Sequence, residues 1–362
     1  MRIRAAFAII SALAVSGLAS AQTSSLTIGD KAPALPVAGF VKGDKIDHLE
    51  LGKTYVIEFW ATWCGPCIQS MPHLSEMADQ YKGKVEFVSV NTWDYRTNDP
   101  KVKEEFDVHV KRVGEWVGKN TDKMRYNIVL DDAKDTIATT WMRAAGQNGI
   151  PCAMIVNEEG KIAWIGHPLS MAKPLEEVSN KTWDIAKFKE TFDKQIAEAK
   201  AAVEAQKKLA ADFRAGDTAA IDAFIVGKDA NKSRRALMAV STGIRANPDL
   251  AFTVFKKYAH SGGATEATSW CSMASALVRT LKTDEAKNEL VMMCEECSNM
   301  ADPKVSALAY TYHASVLNSV GKKDEANKWI EKAKAAVATF EPASDHENLL
   351  NFINSTAKGF NK

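Results

Sequence analysis

The 362-residue sequence predicts an α/β layered domain followed by an all-α domain. Three observations carry that prediction. In the N-terminal half, short β-branched segments alternate with stretches of helical spacing, as strands and helices packed in layers require. From about Trp183 the composition shifts to Ala, Lys and Glu without any strand signal. Beyond residue 215 a set of positions recurs at a constant offset of 40, the mark of a helical-hairpin array.

The chain opens with Met1-Arg2-Ile3-Arg4, continues as an uncharged apolar run from Ala5 to Leu18 and reaches Ala19-Ser20-Ala21 before Gln22. A basic start, an apolar stretch and a small-residue site make a secretory signal peptide over residues 1–21. The run is shorter than the roughly 20 residues that span hydrocarbon. Cleavage after Ala21 leaves a soluble exported protein, expected in the periplasm, of about 340 residues, a two-domain size. Because Arg2 and Arg4 leave with the leader, the formal charge falls by two, from +1 to −1. So near-neutral a chain has no electrostatic reason to bind nucleic acid or an anionic membrane.

Residues 22–53 read as irregular, punctuated by Pro33, Pro36, Gly39 and Gly43. Residues 55–60 form a buried strand with one acid, Glu58, inside it. A helix follows over 66–81, with Ile68, Met71, Leu74 and Met77 at helical spacing and Pro66 suited to its first turn. Residues 85–90 alternate as a second strand, and 92–125 form a polar insert with one helix around 102–117. A third strand covers 127–130 and a short helix 136–143, before a loop ending at Gly149-Ile150-Pro151. Residues 153–156 and 161–165 make a hairpin around Asn157-Glu158-Glu159-Gly160.

The domains are expected at 26–200 and 215–362, divided at the polar stretch 212–217. In the second, Trp270, Ala274, Leu277, Asp284-Glu285-Ala286 and Leu290 recur as Tyr310, Ala314, Leu317, Asp324-Glu325-Ala326 and Ile330. An aromatic, a small residue, a large apolar residue and a small residue opening the next helix resemble tetratricopeptide repeats. The period exceeds their usual 34 or so residues, so extra residues sit between the units, and ordinary helix hairpins remain the alternative.

The chemistry concentrates at Cys64-Gly65-Pro66-Cys67. A Cys-x-x-Cys pair after a strand and opening a helix places the first sulfur where unpaired N–H groups and the helix dipole favour the thiolate. That thiolate attacks a disulfide, and the second cysteine resolves the mixed disulfide. Cys64 is therefore the expected nucleophile and Cys67 the resolver. A zinc site would need four ligands, and no second Cys/His pair of matching spacing lies in this domain.

Phe59-Trp60-Ala61-Thr62-Trp63-Cys64-Gly65-Pro66-Cys67 resembles the active-site segment of the thioredoxin superfamily, in particular its exported TlpA/ResA-like disulfide reductases. The resemblance extends to Gly149-Ile150-Pro151 and Glu159-Gly160-Lys161, about residues 26–200 in all. It implies a central mixed sheet flanked by helices and a reaction that uses no cofactor and no metal beyond the Cys64–Cys67 couple. It places Glu58 under the disulfide, where burial would raise its pKa and suit it to accept the Cys67 proton. It makes Pro151 a cis-proline, with the Ile150 backbone free to pair with an extended substrate and Trp63 shaping the substrate surface. Gly-Pro between the cysteines is similar to the reducing members, near −270 mV rather than the roughly −120 mV of strong oxidants. Expected partners are protein disulfides, an external electron donor such as a membrane thiol carrier, and a protein held by the helical domain.

Cys152 departs from the family pattern; it is either a third thiol beside the pair or, the favoured reading, a small buried strand residue. For Cys271, Cys294 and Cys297, helix packing or a bridge from Cys271 outweighs a second redox pair. His73 and His167 are assigned no ligand role. A peroxiredoxin-like peroxidase lacks its Pro-x-x-x-Thr-x-x-Cys context in residues 57–64. A scaffold with a decayed redox centre conflicts with the intact Cys64, Cys67, Glu58 and Pro151, and copper carriers of this fold use wider cysteine spacing.

Overall fold

The computed structural model describes residues 25–46, 48–96, 104–227, 231–340 and 345–360. The expected leader, residues 1–21, lies outside the described residues. The chain divides into two compact units, residues 1–200 and 201–362.

The first unit is built on a six-stranded sheet of β1 (Gly39–Lys42), β2 (Thr54–Trp60), β3 (Val85–Asn91), β4 (Asn127–Leu130), β5 (Cys152–Val156) and β6 (Ile162–Gly166), in the order β1-β4-β3-β2-β5-β6. β2, β3 and β4 run parallel, while β1, β5 and β6 join antiparallel, so the sheet is mixed. The central β2 is buried along its whole length, and side chains alternate between its faces. Val56, Glu58 and Trp60 face the helices α1 (Gly65–Gln80) and α2 (Phe106–Lys119). Tyr55, Ile57 and Phe59 face Trp141 in a π-helical turn (Ala138–Arg143), and Phe192. Trp141 is wholly buried, and its indole donates to the carbonyl of Ala34 at 3.0 Å. A buried aromatic of this size brings a large apolar gain, and this bond satisfies its polar edge.

Two elements depart from the expectation. β1 forms inside the stretch read as irregular, because a four-residue edge strand is too short to show a period; its order comes from pairing with β4. A further helix, α3 (Ala172–Ser179), precedes α4 (Ile185–Ala215), which continues unbroken into the 212–217 stretch and stops before Gly216.

The second unit is all helix: α5 (Thr218–Val226), α6 (Lys232–Ala246), α7 (Pro248–Tyr258), α8 (Gly263–Leu277), α9 (Asp284–Met300), α10 (Ser306–Ser319), α11 (Lys323–Ala336) and α12 (His346–Gly359). Side-chain caps start several of them: Asp217 accepts from the Ala220 N–H at 2.9 Å, and Asn247, ahead of Pro248, accepts from Leu250 at 3.2 Å. The 40-residue offset maps α8–α9 onto α10–α11. Ala274 and Ala314, Leu277 and Leu317, Leu290 and Ile330 occupy matching buried positions. Among the described residues no helix is long and apolar enough to cross a membrane.

Candidate active site

β2 ends at Trp60, and a turn in which the Cys64 N–H donates to the Ala61 carbonyl at 3.1 Å leads into α1. Cys64 is the N-cap of α1, extended at φ −84° and ψ 96°, and its Sγ accepts the Cys67 N–H at 3.2 Å. Pro66 occupies the first turn, where its missing donor is harmless. Cys64 and Cys67 are joined in a disulfide with their Cα atoms 5.2 Å apart. Cys64 keeps 3 % of its surface exposed and Cys67 none, whereas Trp63 beside them is 62 % exposed. The outer sulfur is the one a partner can reach.

Glu58 lies on the same face of the sheet as the disulfide. In register it sits between Ser89 of β3 and Ala153 of β5. Burial pushes its carboxyl up to about 8, against which a hydrogen bond donated by the Ser89 hydroxyl to Oε2 works only partly. Oε1 has no partner. An acid so placed is mostly protonated at neutral pH and keeps a minor ionised fraction that can take up a proton. Burial also holds the Tyr126 hydroxyl well above its ordinary value, with the Glu58 charge adding to it.

β5 runs antiparallel to β2, with Cys152 opposite Phe59. The Ile150–Pro151 peptide, which is cis, thus lies beside the end of β2 that leads to Cys64. Ile150 packs against the cluster containing Cys64 and Cys67. Cys152 points the other way. Its side chain is buried with Phe59 and Trp141 on the far face of the sheet, and burial pushes its thiol up to about 12. It is not beside the pair. His73 lies within α1, and the His167 ring accepts the Leu169 N–H at 3.2 Å. In the helical unit Cys271, Cys294 and Cys297 are buried free thiols, so no bridge joins them; Cys271 donates instead to the Cys294 carbonyl at 3.6 Å. Among the described residues no group of His, Cys, Asp and Glu is arranged to hold a metal ion.

Sequence reasoning missed the support beneath the turn. Asp94, three residues past β3, accepts the Thr62 N–H at 2.7 Å and its hydroxyl at 2.9 Å, and Asn91 Nδ2 at 2.8 Å. The Trp63 indole donates to the Trp93 carbonyl at 3.0 Å. Ser89 carried a readable signal: it is a hydroxyl that follows Val85 and Phe87 in the same phase of β3.

Residues 46–111 match the thioredoxin family model. The first unit contains a thioredoxin domain. The chain is 25 % identical over 241 residues to Protein FixW of Rhizobium leguminosarum, covering 66 % of this chain and 99 % of that one. It is 27 % identical over 144 residues to the thiol-disulfide oxidoreductase ResA of Bacillus thuringiensis, covering 39 % and 70 %. A solved structure described as a putative thiol:disulfide interchange protein DsbE from Chlorobium tepidum is 22 % identical, covers 43 % of this chain and 99 % of its own, and gives a TM-score of 0.33. Within the thioredoxin domain, Cys64–Cys67 is the Cys-x-x-Cys pair at disulfide distance.

Proposed function

We propose that this chain is an exported thiol–disulfide oxidoreductase that reduces disulfides of periplasmic proteins. The observation that carries the reading is the Cys64–Cys67 disulfide at the N-cap of α1, on the sheet face that buries Glu58. In the reduced form the Cys64 thiolate attacks one sulfur of the substrate disulfide, forming a mixed disulfide and expelling the other sulfur as a thiolate. Cys67, sealed from solvent, gives its proton to the Glu58 carboxylate and attacks Cys64 Sγ; the pair closes and the second substrate thiolate leaves. Two electrons from an outside dithiol, which we assign to a membrane thiol carrier, reopen the disulfide; Glu58 returns its proton to Cys67, Cys64 is left as the thiolate, and the two protons the dithiol gives up pass through solvent to the two substrate thiolates. Ile150 and Pro151 line the substrate strand's path, and Trp63 offers an apolar contact.

Residues 1–21 serve in this reading as a cleaved export signal, with domains at 26–200 and 215–362. α8–α9 and α10–α11 act as tetratricopeptide-like hairpins that hold a chosen partner. The test is dithiothreitol-driven reduction of insulin. Wild type is expected to be active and Cys64→Ser and Cys67→Ser inactive, with Cys67→Ser trapping substrates as mixed disulfides. Equal inactivity of all three proteins refutes the reading.

A further inference from the structure

We propose that Asp94 and Arg112 are positioning residues for Cys64, an ion pair of a buried carboxylate and a half-buried guanidinium that pins the turn before the nucleophile and balances the charge near it. The inference rests on the activity proposed above. Asp94 is buried, and among the described residues its carboxylate accepts from the amide and hydroxyl of Thr62, the Asn91 side-chain amide and the Arg112 guanidinium at 3.4 Å. Thr62 is two residues from Cys64. Trp63, between them, is tied to the carbonyl of Trp93, whose φ of +54° is unusual for a bulky residue. The segment Asn91–Asp94 thus holds both residues that precede the nucleophile.

Arg112 comes from a different element, α2. It reaches Thr62 Oγ1 at 3.4 Å and donates to the Asp94 carbonyl, while its other edge meets Glu104 at 2.8 and 3.0 Å. The pair with Arg112 is what holds the Glu104 carboxyl down to about 2. His109 stands against both Glu104 and Arg112, and Tyr95 stacks on its ring at 3.9 Å. A planar fork that contacts the turn, its anchor and a second carboxylate at once cannot be replaced by a point charge without losing geometry. A network serving only to tie down the insert between β3 and α2 would have no reason to converge on the amide of Thr62.

Charge and geometry predict different signatures. Arg112→Gln takes the cationic partner from the Asp94 carboxylate, which is bonded to Thr62 two residues ahead of Cys64, so the midpoint of Cys64 thiolate formation, read from absorbance at 240 nm in the reduced protein, moves up. Asp94→Asn removes the anion and moves it down. The double variant returns toward wild type in midpoint, yet like both single variants it loses about tenfold or more in kcat/KM on insulin, because the turn is no longer pinned. Arg112→Lys keeps the charge and the midpoint while still losing rate. Midpoints that stay at the wild-type value in folded Arg112→Gln and Asp94→Asn overturn the proposal. Should Asp94→Asn fail to fold, the contrast of Arg112→Gln with Arg112→Lys decides alone. An insulin-inactive wild type with shifted midpoints would sink the proposed function and leave the charge pairing standing; an active wild type with unmoved midpoints does the reverse.

Discussion

Replacing Glu58 by Gln should stabilise the first unit in proportion to pH. The carboxyl ionises near 4.5 when free in water and at about 8 when buried. Between those values the folded state binds a proton that the unfolded state has released, so stability is full below pH 4.5 and falls as pH rises toward 8. Each pH unit in that window lowers stability by about 1.4 kcal/mol, which amounts to about 3 kcal/mol at pH 7 and about 5 kcal/mol above pH 8. Gln carries no charge at any pH, and its carbonyl can still accept the Ser89 hydroxyl. The variant should therefore match wild type near pH 4.5 and exceed it by those amounts above. Calorimetry on the oxidised chain suits the measurement, because the Cys64–Cys67 disulfide does not titrate and the two units need not melt together. At pH 7 the transition of the first unit should rise by about 6–12 °C. The same variant should accumulate mixed disulfide, since Cys67 loses its proton acceptor. A stability difference that stays flat from pH 4.5 to 9 would refute the argument.

Other substitutions probe separate features. Gly43 has φ +88°, and a Cβ there would lie 2.1 Å from Asn127 Oδ1; Gly43→Ala should lower the stability of the first unit by about 2–3 kcal/mol in denaturant titration. Cys152→Ala should leave insulin reduction unchanged and lower stability by about 1 kcal/mol, and a loss of turnover would mean the thiol takes part. His313, buried against Trp329 at 4.5 Å, has its pKa held down to about 4 by burial and by the charges of Lys332 and Lys322. The unfolded chain then takes up a proton between pH 6.5 and 4 that the folded one refuses, so the helical unit should lose about 3 kcal/mol as pH falls through that range. His313→Leu should flatten that decline, and an unchanged acid profile would contradict it.

What the sequence disclosed was whatever repeats at short range. β2, α1 and the hairpin could be placed because period-2 and period-3.6 patterns and the Cys-x-x-Cys spacing are local, and the burial of Glu58 follows from an acid within a fully apolar strand. β1 escaped because four residues at an edge depend on a partner some 90 positions away, Leu130 opposite Gly39. The clamp on Thr62 escaped for the same reason: Asp94 is 32 residues from it and Arg112 50, and no spacing rule links them. Cys152 is an intermediate case. Alternation puts it out of phase with Ala153, but only the register with β2 reveals which phase carries the disulfide.

The sheet that divides Cys152 from Cys64 and Cys67 has a consequence for error rates. A protein that spends its working life passing disulfides between chains, while holding four spare thiols of its own, risks trapping itself in a wrong pairing. Here one spare sulfur sits behind a wall of backbone and three are sunk in a helical core. The exchange chemistry has a single address, and fidelity comes from architecture rather than from discarding cysteines.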